Sequence, residues 1–381
     1  MHDQEPLNFD LYCADKINPV LDQWIAKNNK KFQHFLSNTT IRNQLVKLNL
    51  AFIRHGITVY DQRLLVHSEL NSSELTKYEQ LGMRGVYWWA HAVIARDWYR
   101  YAEVDADLQQ LPHSFEKTFN IYNRAWSGTR EYRLKLADMI IDQQLAPYCN
   151  LRFNPSCDGT MYQMHEFKNP AFVPQHALEQ LPLNLNTPTA SADYSSVDYQ
   201  QCWFDVVLET LFDDTRLQLT EKILRPIACG KPFILAGTAG GLEYLKHYGF
   251  RTFGDFIDES YDTETDPLSR LSKIVSLMQS IQSLTPVQKQ QLSIHLTTIT
   301  NHNRERFFSN EFMYQVCNEF AQNYQAARQS CYRTGHQAKE FLSLVQQHQD
   351  LNQYLENDVD YKVLPHVVDY IAQSSWLKLA S

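Results

Sequence analysis

Two groups of residues in this chain have the types and spacing for chemistry on an anion. The first lies in the run Glu209–Lys222. An apolar stretch, Cys202–Leu208, ends in Glu209, and Thr220-Glu221-Lys222 opens the next periodic segment. Thr220 is placed to cap a helix whose first turn offers free backbone N–H groups and a positive dipole end, which suits phosphate. Lys222 adds a point charge, and Glu221 can accept hydrogen bonds from a ribose diol. The same residues also fit a helix cap with solvated charges. The second group is Arg124, Arg130 and Arg133, the densest basic group in an otherwise acidic chain. Arg130 and Arg133 are three apart, which on a helix puts them on one face. Guanidinium forks suit a diphosphate; a solvated basic face is the plainer alternative.

Acid–base candidates lie earlier in the chain. A base for an acceptor hydroxyl must be a carboxylate or an imidazole at a cleft edge. Glu69 is the first choice because His67-Ser68-Glu69 follows the apolar run Leu64–Val66. His67 and His91 are rivals, since histidine titrates near neutrality. Asp97, in Ala95–Tyr101, is a further candidate. The structural alternatives are a helix-capping acid for Glu69 and an Arg/Asp ion pair among packed aromatics for Asp97. Gly240, in Gly237-Thr238-Ala239-Gly240-Gly241, opens a helix and can bring backbone close to a sugar or phosphate. That run matches neither a P-loop nor a dinucleotide fingerprint. Asp105-Ala106-Asp107 has the D-x-D spacing but follows no strand, so no metal site and no cofactor are expected. Neither a Ser/His/Asp order nor H-E-x-x-H occurs.

These residues need a scaffold. Strands are expected at Leu64–Val66, Val86–Trp89 and Phe119–Tyr122, with a helix opening in Ser72–Gln80 and another over Trp126–Gln144. Residues 16–50 read mainly as helix, and 169–200 as a long irregular connection. The clearest unit is the strand Cys202–Leu208, the helix Thr220–Cys229, the strand Lys231–Ala236, the helix Gly240–Tyr248 and a strand from Phe250–Phe253. This alternation predicts a parallel, Rossmann-like sheet with ligands beyond its carboxyl edge. From about 268 the pattern is helical to the end. The expected architecture is α/β. Two Rossmann-like domains, 1–115 on the acceptor side and 116–275 on the nucleotide side, face a cleft, and a helical extension, 276–381, packs on them.

With 381 residues, two domains and an extra piece are the prior. A formal charge of −8 argues against a protein that coats nucleic acid non-specifically, though a local basic groove is compatible with it. Seven cysteines without a C-x-x-C pair point to a reducing compartment and against a zinc ribbon. The acidic start and the absence of a long apolar run predict a soluble, cytoplasmic protein without a signal peptide or membrane span.

Thr220-Glu221-Lys222, a helix, a small residue, Gly230-Lys231-Pro232 and an apolar strand together resemble the donor-binding unit of GT-B glycosyltransferases, closest to the α-1,3-fucosyltransferase family. The runs Gly240–Leu245, Gly249–Phe253 and Asp258–Asp262 also look like those of phage and bacterial glycosyltransferase-like proteins. The resemblance covers roughly 200–275 well and 64–145 in order. It implies a metal-independent glycosyltransferase using a nucleotide-diphosphate sugar, with Arg124, Arg130, Arg133, Glu209, Thr220, Glu221, Lys222 and Gly240 on the donor side. The order His67-Ser68-Glu69 inverts the family's Glu-Ser element. The implied acceptor is either a hydroxymethylated pyrimidine in phage DNA, with the protein then in the host cytoplasm, or a glycan or small molecule. A non-catalytic nucleotide-sugar-binding module is the other reading.

Overall fold

A computed structural model describes residues 64–80, 84–109, 115–175 and 191–333. The helix expected over 16–50 and the helical pattern beyond 333 lie outside the described residues. By its contacts the chain divides into two units. The first takes in residues 1–67, 76–86 and 324–381, and the second takes in 68–75 and 87–323. In the first, strand β1 (Leu64–His67) pairs with β2 (Arg84–Tyr87); α1 (Ser73–Gln80) lies between them in sequence. Arg84 Nε donates to Ser330 Oγ at 3.0 Å.

The second unit is mixed α/β. Its elements run α2 (Ala90–Trp98), α3 (Ala106–Gln109), β3 (Lys117–Asn123), α4 (Tyr132–Asp142), β4 (Cys149–Phe153), a hairpin of β5 (Ser156–Cys157) and β6 (Thr160–Met161), and α5 (Ser196–Gln201). Then come β7 (Cys202–Leu208), α6 (Glu221–Ala228), β8 (Phe233–Ala236), α7 (Gly241–His247), and the long helices α8 (Pro267–Ser283), α9 (Pro286–Phe308) and α10 (Asn310–Arg333), whose residues from Tyr324 on fall in the first unit.

Four strands form one sheet in the order β4-β3-β7-β8, and every pairing is parallel. The central strands are buried on both faces, as a sheet covered on both sides requires. Phe119, Ile121, Phe204, Val206 and Val207 are all buried. From β3 the chain crosses by α4 outward to β4, whereas from β7 it crosses by α6 outward the other way to β8. Right-handed crossovers then set α4 and α6 on opposite faces, and a crevice opens between the carboxyl ends of β3 and β7.

A polar network runs through the middle of this sheet. Asp205 of β7 accepts from Tyr199 Oη at 2.6 Å and from Asn120 Nδ2 at 3.3 Å. Asn150 Nδ2 donates to Asn120 Oδ1 at 2.9 Å. Arg225 of α6 donates to Tyr199 Oη at 3.1 Å and lies over the Tyr122 ring. Tyr122 and Arg152 both donate to Asp198. Burial pushes the Asp205 carboxyl upward against the opposing pull of Arg225 and its hydrogen bonds.

The structure departs from the sequence-based elements in four places. The second strand begins two residues early, and Trp89 takes the N-cap position of α2, with Nε1 donating to Leu219 O at 2.8 Å. Phe250–Phe253 is not a strand. Its backbone groups are taken by side chains: Asn303 bonds both the N–H and the C=O of Arg251, and Glu259 accepts from Phe253 N. Trp126–Gln144 splits into a 3-10 turn, Gly128–Arg130, and α4. Strand β4 was not anticipated.

Candidate functional site

At the carboxyl edge lie the loop after β3, the loop after β7 and the N-terminus of α6, with the N-terminus of α2 beside it. Glu209, directly after β7, is fully buried. Its Oε1 accepts from Thr220 N at 3.1 Å and its Oε2 from Thr220 Oγ1 at 2.6 Å. Thr220 is the N-cap of α6, accepting from Lys222 N. Glu209 therefore fixes the start of the helix and positions its first turn.

Glu221 and Lys222 follow in that turn. Lys222 Nζ lies 3.0 Å from Glu221 Oε1 and donates to Thr220 Oγ1 at 3.0 Å. His91, the second residue of α2, places Nδ1 3.2 Å from Glu221 Oε2, off the direction of a good hydrogen bond but well within ion-pair range. Burial pushes the Glu221 carboxyl up, but His91 and Lys222 together outweigh it and hold the group well below the usual carboxylate range. Both Glu221 oxygens thus face protein groups, and a ribose diol would have to compete for them. The His91 side chain is a quarter exposed and Lys222 is 22% exposed, so both reach the crevice.

The arginines separate. Arg133 is buried and spent on the backbone: Nη1 donates to Ala125 O, and Nη2 to Leu208 O and Glu209 O. It ties the loop after β3 to the end of β7. Arg130 ends the 3-10 turn before α4 begins, so the two do not share a helical face. It is half-buried and makes no hydrogen bond or ion pair among the described residues. Burial, and then the neighbouring charge of Arg133, push its guanidinium pKa down. Thr129 Oγ1 donates to Thr210 O at 2.9 Å, which pins this turn beside Glu209. Arg124 is exposed.

Gly240 has φ +87° and starts α7, a conformation that favours glycine. The anion position there is filled by the chain itself: both oxygens of Asp262 lie 3.1 Å from Leu242 N. Glu69 Oε2 accepts from Arg216 at 3.3 Å, and Arg216 also pairs with Asp214. Leu70 forms an antiparallel bridge with Leu217, so this acid anchors the segment 68–70 to 214–218. Asp97 is half-exposed in an i,i+3 pair with Arg100 at 2.9 Å. His67 is the last residue of β1. Asp105 caps Asp107 N and accepts from Tyr194 Oη.

Sequence reasoning missed the pairing of His91 with Glu221, the Asp262 cap and the Arg216 link. All three are long-range, with separations of 130, 20 and 147 residues; spacing along the chain carries no signal for them. Among the described residues there is no group of three or more His, Cys, Asp or Glu side chains arranged for a metal, and no helix long and apolar enough to cross a membrane. Compared with family models, curated proteins and solved structures, the chain matches none.

Proposed function

We propose that this chain is a glycosyltransferase of the GT-B type that binds a nucleotide-diphosphate sugar at the switch-point edge and transfers its sugar to an acceptor hydroxyl without a metal. The observation that carries the reading is Arg130. A half-buried guanidinium with no hydrogen bond or ion pair among the described residues, and only the more distant charge of Asp158 and its neighbours in its favour, is costly unless an anion completes it. The turn that carries it is pinned beside Glu209 by the Thr129 bond to Thr210, and Glu209 holds the start of α6. Cleavage of the bond between anomeric carbon and diphosphate builds negative charge on the leaving phosphate. Arg130, Lys222 and the helix dipole are the groups that would stabilise it.

For the base, the geometry favours His91 over Glu69. The Glu69 carboxylate is bound by Arg216, whereas His91 is partly exposed with a buried carboxylate behind Nδ1. A carboxylate there holds the ring by charge, leaving Nε2 to take the acceptor proton. Glu209 and Arg133 act as positioning residues.

The test is thermal stabilisation by UDP, GDP, CDP, ADP and dTDP and their sugar conjugates, since a ligand that binds only the folded chain raises its melting temperature. One nucleotide series should stand out, and its sugar conjugate should be slowly hydrolysed without acceptor. No stabilisation by any of them would refute the reading. Stabilisation without hydrolysis or transfer would reduce it to a binding module.

A further inference from the structure

The runs Gly249–Phe253 and Asp258–Asp262 are not used at the switch-point edge. Residues of both line a groove of about 640 Å³ formed with α7 and α9. That volume falls in the range of about 300–1,000 Å³ usual for small-ligand sites. The groove takes in Lys246, in the last turn of α7, and His295 of α9.

Its wall is firmly held. Asn303, 1% exposed, clamps the backbone of Arg251, accepting from its N–H at 2.7 Å and donating to its C=O at 2.8 Å. The Arg251 guanidinium has no hydrogen bond among the described residues. Phe256, 41% exposed, stacks on His295 with centroids 4.7 Å apart and planes 12° off parallel. Glu259 accepts from Phe253 N at 2.7 Å. A Cβ at Gly254 would come within 3.0 Å of Glu259 Oε2, so glycine is what lets the carboxylate lie there.

The charges of this lining cancel: Lys246 and Arg251 stand against Asp255 and Glu259. A phosphate gains no net attraction. What the groove offers is the partly exposed, stacked ring pair of Phe256 and His295, bordered by interleaved donors and acceptors. That set suits a ring with an apolar C–H face and hydroxyls that both donate and accept. We propose that this groove is a saccharide-binding site separate from the switch-point edge, with Phe256 as the platform and Arg251, Asp255, Glu259 and Lys246 as hydroxyl partners. It stands independently of the glycosyltransferase reading.

Saturation-transfer NMR and calorimetry on the full chain would test it with maltotriose, cellotriose, chitotriose and mannotriose, and with AMP as a charged aromatic control. At least one trisaccharide should bind with Kd near or below about 1 mM. Phe256→Ala should weaken it at least about tenfold, while Phe256→Trp retains it. Lys222→Ala, at the other site, should leave it unchanged. The proposal is overturned if no trisaccharide binds at about 10 mM, if binding survives Phe256→Ala, if AMP displaces the sugar, or if Lys222→Ala rather than Phe256→Ala abolishes it.

Discussion

Asp205 lies in β7 and Glu209 directly after it, four residues or about 13 Å along an extended chain, yet the polar groups around them are used differently. Around Asp205 the partners are all side chains of the same sheet layer and its helices: Tyr199, Asn120, Asn150 and Arg225. Around Glu209 the carboxylate is equally buried, but the groups that it positions face the crevice, and Arg130 on the neighbouring turn has no hydrogen bond or ion pair among the described residues. The first arrangement consumes its bonding capacity inside the fold. The second holds some in reserve. A buried polar network of the first kind specifies strand register and helix placement, whereas capacity left over at a switch point is what a ligand would use.

That contrast can be broken first from the interior. Arg225→Met removes the bond to Tyr199 and the cation opposing Asp205, and should cost roughly 2–4 kcal/mol of unfolding free energy in a denaturant titration. A loss below about 0.5 kcal/mol would mean that the network is not structural. At the edge, His91→Gln should lower turnover at least about a hundredfold, with donor affinity nearly unchanged. Glu69→Gln should keep turnover within about threefold while loosening the Arg216 link. A large loss of turnover in Glu69→Gln with little loss in His91→Gln would place the base on Glu69.

Lys231 gives a third test, at the amino end of β8. It is 5% exposed, lies over the Phe115 ring, and has no hydrogen bond among the described residues. Burial lowers its pKa from 10.5 to about 8. The unfolded chain therefore binds more protons between these two values, and stability rises with pH across that window. Lys231→Met should stabilise the protein by roughly 1–3 kcal/mol at pH 7. The gain should shrink as pH rises from about 8 to 10.5. A gain independent of pH would assign the effect to packing. The smallest effect is expected at Asp97, where an exposed i,i+3 pair contributes within about 0.5 kcal/mol. Asp97→Asn should leave stability and turnover unchanged in melting and rate measurements.

The central sheet was legible because β7 and β8 are continuous apolar runs and Thr220 is a recognisable cap. Strand β4 was missed although Cys149, Leu151 and Phe153 alternate with Asn150 and Arg152; the polar positions made a short edge strand read as loop. Phe250–Phe253 reads as strand for the opposite reason. It is apolar, and nothing local shows that Asn303 and Glu259 take its backbone bonds. The site was half legible. Lys222 and Thr220 stand where the cap motif puts them, but Arg130 and Arg133 look equivalent in sequence. Only the fold decides that Arg133 turns inward onto three carbonyls.

The claim that the switch-point edge is an anion site rests most directly on Arg130. Calorimetric titration of the nucleoside diphosphate that most stabilises the parent protein, into parent and Arg130→Ala, would test it. The variant should bind about ten- to a hundredfold more weakly, the loss of one charged hydrogen bond at about 1.5–3 kcal/mol. Its unliganded melting temperature should stay the same or rise, because the guanidinium has no hydrogen bond or ion pair among the described residues to lose. Unchanged nucleotide affinity, or weaker binding matched by an equal loss of unliganded stability, would contradict the account.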